Sequence, residues 1–421
     1  MMQFDWEPLS HSELDQRLDQ AVEEIIEADL IEKVQGQCGP VILHVSQPED
    51  PIPTTSEQTQ TQVAFLLSGS PAPSTFVVHG SRERETQEQS NDAAEGNTVV
   101  QYVTELLQNS NSSYSQSRLA GRARLSLPHT VLLSLTLLSK RLSYRSVSSS
   151  FRLEKGNIHR IFFSFCERAN ALMDQQIRWP MGQEALEHLL PFSSWLGRNE
   201  DLEQRGLPRV LGVLGHTRIP IRLPISKQDA ESHVLDAKRL KKEVHPDSWL
   251  NLELVCDGQG RFIHCRVSRG SEKDRASALL KKLQLCPEMM PPETCIVAMG
   301  GYPLTEHILT PFVSGRSTQE NLYNRCVETH LGRFEQAVAD LKERFQRLRY
   351  LDMGNYERAK AVVLTACILH NALLDTGDVV VGKAERETRE EEGGAEEREA
   401  GRQRRDTVVQ LLYSTLETAT D

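Results

Sequence analysis

Apolar residues are spread unevenly along the chain, and their spacing changes from one region to the next. Between residues 12 and 34 they recur every three or four positions with Asp and Glu between them, which predicts an acidic amphipathic helix. From residue 47 to about residue 117, Ser, Thr, Gln, Asn and Pro dominate, and such a segment buries too little apolar surface to offset its ordering entropy. Apolar periodicity returns at Leu127 and continues to about Asp375, where we expect the folded body.

These changes of pattern predict five regions. They are an acidic amphipathic helix region (1–46), a disordered or loosely ordered linker (47–120), a helical subdomain (121–180), an α/β domain (181–378) and a charged C-terminal tail (379–421). Within the tail, the Glu and Arg run from Lys383 to Asp406 is typical of a solvated tail or an exposed helix. The segment from Val408 to Leu416 is apolar enough to dock on another surface.

The helical subdomain has the spacing of a helix-turn-helix. We predict helices at Thr130–Ser139 and Tyr144–Leu153, a break at Glu154–Gly156, and a third helix capped by Asn157. In such a motif the third helix enters the major groove of DNA with its N-terminal residues. The candidate DNA contacts are therefore Lys155, Asn157, His159 and Arg160. A helical subdomain without DNA contact is the alternative interpretation.

The larger domain begins with strand patterns and continues with alternating helices and strands. The predicted elements are, in chain order, a strand at Val210–Pro224, strands at Trp249–Cys256 and Arg261–Val267 around a turn at Asp257–Gly260, a helix at Ser277–Leu285, a strand at Thr294–Ala298, and a long helix at Leu331–Leu348. An antiparallel start followed by this alternation indicates an α/β sheet of the ribonuclease-H type.

Charge and cysteine usage narrow the classes of function. A formal net charge of −11 argues against nucleic-acid binding by the whole surface, so any DNA contact must come from a local basic patch. The eight cysteines are scattered without a Cys-x-x-Cys pair, which indicates reduced, packed thiols rather than a zinc site. No signal peptide is evident, and the longest apolar run, Val131–Leu138, is too short to span a bilayer. We therefore expect an intracellular protein without a membrane partner.

Seven short motifs follow one another through the folded body. They are Gly212–Ile219, Val255–Phe262, Gly270–Asp274, Gly301–Leu304, Tyr323–Arg325, Glu335 with Leu341–Phe345, and Leu369–Asn371. In this order they resemble the Harbinger transposase-derived nucleases, over about residues 125–375. The resemblance implies a ribonuclease-H-like DDE nuclease domain preceded by a helical helix-turn-helix subdomain.

The resemblance also implies an acidic metal-binding set, which this chain carries only in part. Members of that family cut DNA with divalent metal ions, Mg²⁺ or Mn²⁺, that carboxylates hold. Asp274 and Glu335 match the implied acidic positions as catalytic and metal-binding residues, whereas Gly215 and Met299 replace expected acids. His216 cannot substitute for the first of these, because neighbouring strand residues point to opposite faces. One weakly held divalent ion and no ion at all both stay open.

Three functions are consistent with these observations. The leading hypothesis is a transposase-derived DNA-binding protein that is impaired or inactive in DNA cleavage. The first alternative is a residual divalent-metal-dependent endonuclease that hydrolyses phosphodiesters with Asp274 and Glu335. The second alternative is a protein-interaction scaffold, favoured by the acidic N-terminal helix and the apolar C-terminal segment. The resemblance further implies DNA as a ligand, a Myb-like DNA-binding protein as a partner, and a nuclear location, with the cytoplasm as an additional one.

Overall fold

The structure is a computed structural model that describes residues 98–109, 125–193, 199–222, 245–272, 276–313, 315, 317–384 and 396–417. The predicted N-terminal helix, most of the predicted linker and Asp274 lie outside these residues. Contacts divide the chain into two units, Met1–Arg168 and Ala169–Asp421. Among the helices in the described ranges, none combines the length and apolar character needed to cross a bilayer.

The described residues of the first unit form helices and short turns. Residues 98–109 form α1, followed by α2 (Leu127–Ser139), α3 (Tyr144–Phe151) and α4 (Lys155–Asn170), whose last two residues belong to the second unit. The side-chain oxygens of Ser126 and Ser143 accept hydrogen bonds from backbone N–H groups in the first turns of α2 and α3. These contacts satisfy donors that a helix start leaves without partners, so the two serines begin the helices.

The reversal between α3 and α4 differs in detail from the prediction. The helix α4 begins at Lys155, so Gly156 and Asn157 lie inside its first turn, and Asn157 is not the cap. The residue with left-handed backbone at the reversal is Arg152, at φ 53°. The hydroxyl of Ser148 donates to the carbonyl of Leu153 at 2.5 Å and holds this turn closed. A glycine was therefore not needed, because local hydrogen bonding stabilises the left-handed arginine.

The second unit contains a mixed sheet of six strands within the described residues. The strands are β1 (Leu190–Pro191), β2 (Arg209–Pro220), β3 (Trp249–Cys256), β4 (Phe262–Arg269), β5 (Thr294–Ala298) and β6 (Ile308–Leu309). Their order is β4-β3-β2-β5-β6, and β1 pairs with β2. The pairs β2–β3 and β3–β4 are antiparallel, whereas β5 is parallel to β2 and β6. The predicted α/β class and its antiparallel start are confirmed.

Helices cover both faces of this sheet. They are α5 (Met173–Gln176), α6 (Gln183–Glu187), α7 (Asn199–Gln204), α8 (Ser277–Leu285), α9 (Thr318–Arg344), α10 (Tyr356–Leu374) and α11 (Glu399–Glu417), with 3₁₀ turns at Pro246–Ser248, Pro287–Met289 and Gln346–Arg349. The long helix α9 packs on β2, β3 and β5, and α10 packs on β4. The helix α8 closes an apolar cluster with Leu214, Ile296 and Tyr302. The predicted amphipathic helix is thus longer than expected, because Ser317 caps it 14 residues before Leu331.

Two asparagines within the sequence motifs bind backbone groups. The side-chain oxygen of Asn371 accepts from the N–H of Phe262 at 2.9 Å, and its amide donates to the carbonyls of Phe262 and Gln176, each at 2.7 Å. Asn324 brackets the backbone N–H and carbonyl of Phe312 in the same manner, at 2.8 and 3.1 Å. Phe262 begins the edge strand β4 and Phe312 lies three residues after β6, so each amide supplies its backbone groups with the partners that a neighbouring strand would provide.

The C-terminal region differs from the predicted charged tail, because α11 packs on α9 and β6 within the second unit. Val408 and Leu412 are buried, which confirms that the apolar end of the region docks. Arg405 is only 6% exposed, forms an ion pair with Glu397 at 3.0 Å and lies over the ring of Phe312. The side chain of Arg405 covers apolar surface while its charge is paired, so a sequence rich in Arg and Glu packs as a helix here.

Candidate functional site

Three of the four acidic positions implied by the family resemblance lie together in the second unit. Gly215 stands in β2, and the parallel pairing of β2 with β5 places Leu214 opposite Ala298. The N–H of Met299 donates to the carbonyl of Leu214 at 3.0 Å, so positions 215 and 299 are neighbours at the end of β5. Glu335 reaches the same region from α9. The fourth position, Asp274, lies outside the described residues.

Apolar side chains fill the space beside Gly215. A Cβ atom on this residue would lie 2.6 Å from Cε1 of Phe334 and 2.7 Å from the sulfur of Met299. Such distances are far inside van der Waals contact, and Phe334 is buried, so its ring cannot move aside without disturbing the core. A carboxylate at position 215 therefore has no room in this packing.

Glu335 lines a small pocket next to this apolar contact, which we term the Glu335 pocket. Its volume is about 70 Å³, and its lining includes His216, Met299, Phe334, Glu335, Lys342, Arg349 and Lys383. Glu335 is half-buried and is the one carboxylate among the described residues of the lining. Three cationic side chains, Lys342, Arg349 and Lys383, line the same pocket. The ammonium of Lys342 donates to the hydroxyl of Thr217 at 2.7 Å.

The described residues do not fit a two-metal site. Glycine at position 215 offers no side-chain ligand, and the thioether of Met299 is a soft ligand that hard Mg²⁺ or Mn²⁺ disfavours. Three nearby cations would also repel a divalent ion. Within the described ranges, no three or more His, Cys, Asp or Glu side chains are grouped so as to hold a metal ion. Among the described residues at this place, Glu335 is a single carboxylate and does not form the carboxylate clamp that such hydrolysis requires.

His216 does not replace the missing acid. Its ring lies 5.9 Å from the ring of Tyr302, which belongs to the apolar cluster of α8, whereas Gly215 faces Phe334 on α9. His216 nevertheless contributes to the lining of the Glu335 pocket, so the prediction that the two neighbouring residues use opposite faces of β2 stays a prediction.

A buried carboxylate that the sequence did not single out lies on β3. Glu253 accepts a hydrogen bond from the N–H of Ala276 at 2.9 Å and lies 3.8 Å from Nε2 of His264. Burial by itself raises the pKa of Glu253, but the close approach of His264, the hydrogen bond from the N–H of Ala276 and nearby positive charge outweigh it, so the pKa is lowered. The ionised Glu253 anchors the start of α8, two residues beyond Asp274. Its role is to hold this segment of the fold.

The candidate DNA contacts lie at the start of α4 in the first unit. Arg160 is exposed and donates to the side-chain oxygen of Asn157 at 3.3 Å, while Lys155 is partly exposed. His159 is buried at 3% exposure, with its ring 5.6 Å from Tyr144 and 4.6 Å from Phe163. The prediction that His159 contacts DNA is therefore wrong, because this residue falls on the packed face of α4. Lys155, Asn157 and Arg160 stay candidates.

Three residues of the Glu335 pocket were missed by sequence reasoning. Lys342 follows Glu335 by seven positions on α9, which is two helical turns, so the helical period could have placed both on one face. Arg349 and Lys383 come from segments beyond that helix. No periodic signal links them to Glu335, because only the tertiary fold brings them to it.

Comparison with known proteins agrees with this architecture. Residues 217–371 match the family described as DDE superfamily endonuclease. The chain is 25% identical to "Putative nuclease HARBI1" of Xenopus laevis over 281 residues, which cover 65% of this chain and 74% of the relative. It is 24% identical to the protein of the same name from Mus musculus over 289 residues, which cover 66% and 75%. No solved structure matches the chain.

Over residues 217–371 the chain is thus similar to DDE superfamily endonucleases, and these matches support a transposase-derived, nuclease-like protein. The relationship to the Harbinger transposase-derived nucleases, which the order of seven motifs predicted, is confirmed. At positions 215 and 299 this chain carries glycine and methionine in place of the acids which that relationship implies.

Proposed function

We propose that this transposase-derived protein binds DNA and is impaired or inactive in DNA cleavage. The observation that carries the proposal is the close packing of Phe334 and Met299 against Gly215. Phosphodiester hydrolysis by this class needs carboxylates that hold two divalent ions, one for the attacking water and one for the leaving oxygen. The described residues supply one carboxylate, Glu335, at that place.

The first unit supplies the charge for DNA binding. Between residues 125 and 168 the sequence contains seven Lys or Arg against two Asp or Glu, in a chain whose net charge is −11. Arg145, Arg152 and Arg160 are exposed, and Asn157 is partly exposed beside Arg160. Positive side chains of this kind bind phosphates and release counterions, while an amide can read adenine. The proposal includes a nuclear location and a Myb-like DNA-binding partner, on the basis of the family relationship.

The cleavage part of the proposal is tested with supercoiled plasmid DNA in Mg²⁺ or Mn²⁺. We expect no nicking above the protein-free control, and the same result for Glu335→Ala. The matched control is Glu328→Ala, which removes an exposed carboxylate from the same helix outside the Glu335 pocket. Nicking by the unmodified protein that disappears in Glu335→Ala but persists in Glu328→Ala would contradict the proposal.

That contradicting result would establish the second candidate, a residual endonuclease. The position of Glu335 at an open pocket favours it. The scaffold hypothesis has lost one of its supports, since Val408 and Leu412 of the apolar C-terminal segment are buried in the second unit.

A further inference from the structure

The charge of the Glu335 pocket suits an anion better than a metal ion. Lys342, Arg349 and Lys383 line it with Glu335, and outside the lining a second carboxylate, that of Glu343, pairs with Arg349. A group of three cations around a cavity attracts phosphate, because charge-assisted hydrogen bonds to phosphate oxygens are short and strong. The pocket therefore has the chemistry of a phosphate site in the place where the family resemblance implies metal ions.

Backbone and side-chain contacts hold these cations at the pocket. The hydroxyl of the buried Thr217 accepts from Lys342 at 2.7 Å and positions its ammonium. Arg349, in the turn after α9, donates to a carboxylate oxygen of Glu343 at 2.7 Å. A guanidinium has five N–H donors in one plane, so this contact orients the group and leaves donor capacity for a second anion.

The third cation is placed by a close approach of backbone to helix. The N–H of Gly382 donates to the side chain of Asp340 at 2.8 Å, and its carbonyl accepts from Gln336 at 2.9 Å. A Cβ on Gly382 would lie 2.2 Å from the carbonyl oxygen of Ala339, so this segment can lie against α9 only because the residue is glycine. These contacts place the backbone next to Lys383 against α9, and the exposed side chain of Lys383 reaches the pocket lining from there.

We propose that the Glu335 pocket binds a phosphate group directly through Lys342, Arg349 and Lys383, without a metal ion. The phosphate belongs to the DNA backbone, and in this respect the inference rests on the proposed function. In a metal-dependent nuclease, divalent ions bridge carboxylates and phosphate. Here protein cations make the contact themselves, so the domain holds the DNA strand without activating water. Glu335 opposes the bound phosphate and limits its affinity.

The test is calorimetric titration of the full chain with inorganic phosphate, in EDTA and at constant ionic strength. We expect saturable binding by the unmodified protein. Lys383→Gln, and separately Lys342→Met, should weaken it about tenfold, the effect of losing one charge-assisted hydrogen bond. Lys281→Gln is the matched control, because it removes an exposed cation on α8 outside the pocket and should change nothing.

Glu335→Gln best distinguishes a phosphate site from a metal site, because the two sites predict opposite changes in ligand affinity. Removal of its charge should strengthen phosphate binding severalfold, since like charge no longer opposes the anion. A metal site would instead lose affinity for Mg²⁺ in this variant. Absence of phosphate binding, equal binding in Lys383→Gln and the unmodified protein, or a requirement for Mg²⁺ would each overturn the inference. Thermal unfolding of every variant shows whether it is folded.

A second arm uses a short DNA duplex and separates this inference from the proposed function. Lys155→Ala with Arg160→Ala should weaken duplex binding but leave the binding of inorganic phosphate unchanged. Lys383→Gln should weaken both and lower the salt dependence of duplex binding by about one counterion. If the protein binds inorganic phosphate but no duplex, the proposed DNA binding fails and a small phosphate compound is the ligand. If it binds duplex with equal strength in Lys383→Gln, the pocket inference fails and DNA binding stands.

Discussion

The junction of β4 with α10 and the Glu335 pocket lie in the same unit, and both contain residues of the motifs shared with Harbinger-derived nucleases. At the junction, Asn371 replaces a missing strand partner and His370 stacks on Phe262 at 4.7 Å. At the pocket, two positions that the resemblance assigns to acids carry Gly215 and Met299, which pack with Phe334. The chain keeps the asparagine that binds backbone groups at the junction, but it lacks two of the carboxylates that would bind metal ions at the pocket. Fold and hydrolytic chemistry therefore depend on separate residues.

The junction should be the more sensitive of the two regions to mutation. Asn371→Ala removes one acceptor and two donors from buried backbone groups of Phe262 and Gln176. We expect a loss of about 3–5 kcal/mol in the free energy of unfolding, because buried groups are left without partners. Urea unfolding measures it, with the exposed Gln403→Ala on α11 as a control that should stay within about 0.5 kcal/mol. A loss of less than about 1 kcal/mol in the free energy of unfolding would show that Asn371 is not needed to stabilise the junction.

The same junction should respond to acid. Burial is the main cause that lowers the pKa of His370 to about 4, although the carbonyl of Gly260 accepts from its ring. Because the folded-state pKa lies below the ordinary value, the unfolded chain binds the proton first. Stability is then complete above about pH 6.5 and falls as the pH decreases toward 4, by roughly 3 kcal/mol from this residue.

The measurement is urea unfolding at a series of pH values for the unmodified protein and for His370→Gln. The variant has no titrating ring, so its stability should change less between pH 6.5 and pH 4. Parallel pH profiles of the two proteins would show that His370 does not carry the acid sensitivity.

The smallest of the three effects concerns the apolar contact beside the pocket. Gly215→Ala forces a methyl group to within 2.6 Å of Phe334, and we expect a loss of about 1–3 kcal/mol. Gly332→Ala on α9 is the matched control: the added methyl meets nothing within 4 Å, and alanine favours the helix by about 0.5–1 kcal/mol. Opposite changes in the free energy of unfolding of the two variants, measured with urea, support the close packing of Phe334 against position 215. Equal stability of Gly215→Ala and the unmodified protein would mean that position 215 has room for a side chain.

Local patterns predicted much of the second unit. The turn at Asp257–Gly260 forms as expected, because Asp257 accepts from the N–H groups of Gln259 and Arg261 and Gly260 has a positive φ. Alternation predicted β3 and β4, and helical periodicity predicted α8 and the C-terminal half of α9. These features depend on residues close together in the chain, so a local pattern contains the needed information.

Other features were beyond a local pattern. The burial of His159 depends on Tyr144 from α3 and Phe163 from the next turn, so a polar residue at a helix start was mistaken for a surface contact. The docking of α11 depends on Glu397 and Phe312, which neutralise and cover Arg405. In both cases a residue type that usually faces water is packed in part by a side chain from another element, Tyr144 for His159 and Phe312 for Arg405.

By itself, the sequence determined that the chain has an α/β domain related to DDE endonucleases and that positions 215 and 299 cannot provide carboxylates. The residue type alone decides whether a position carries a carboxylate, so this conclusion does not depend on the fold. Only the tertiary structure decided what occupies that space, because the packing of Phe334 against Gly215 and the approach of Lys383 to Glu335 join segments that no periodicity connects. Long-range contacts of this kind give the Glu335 pocket its positive character, and from that character its affinity for phosphate is inferred.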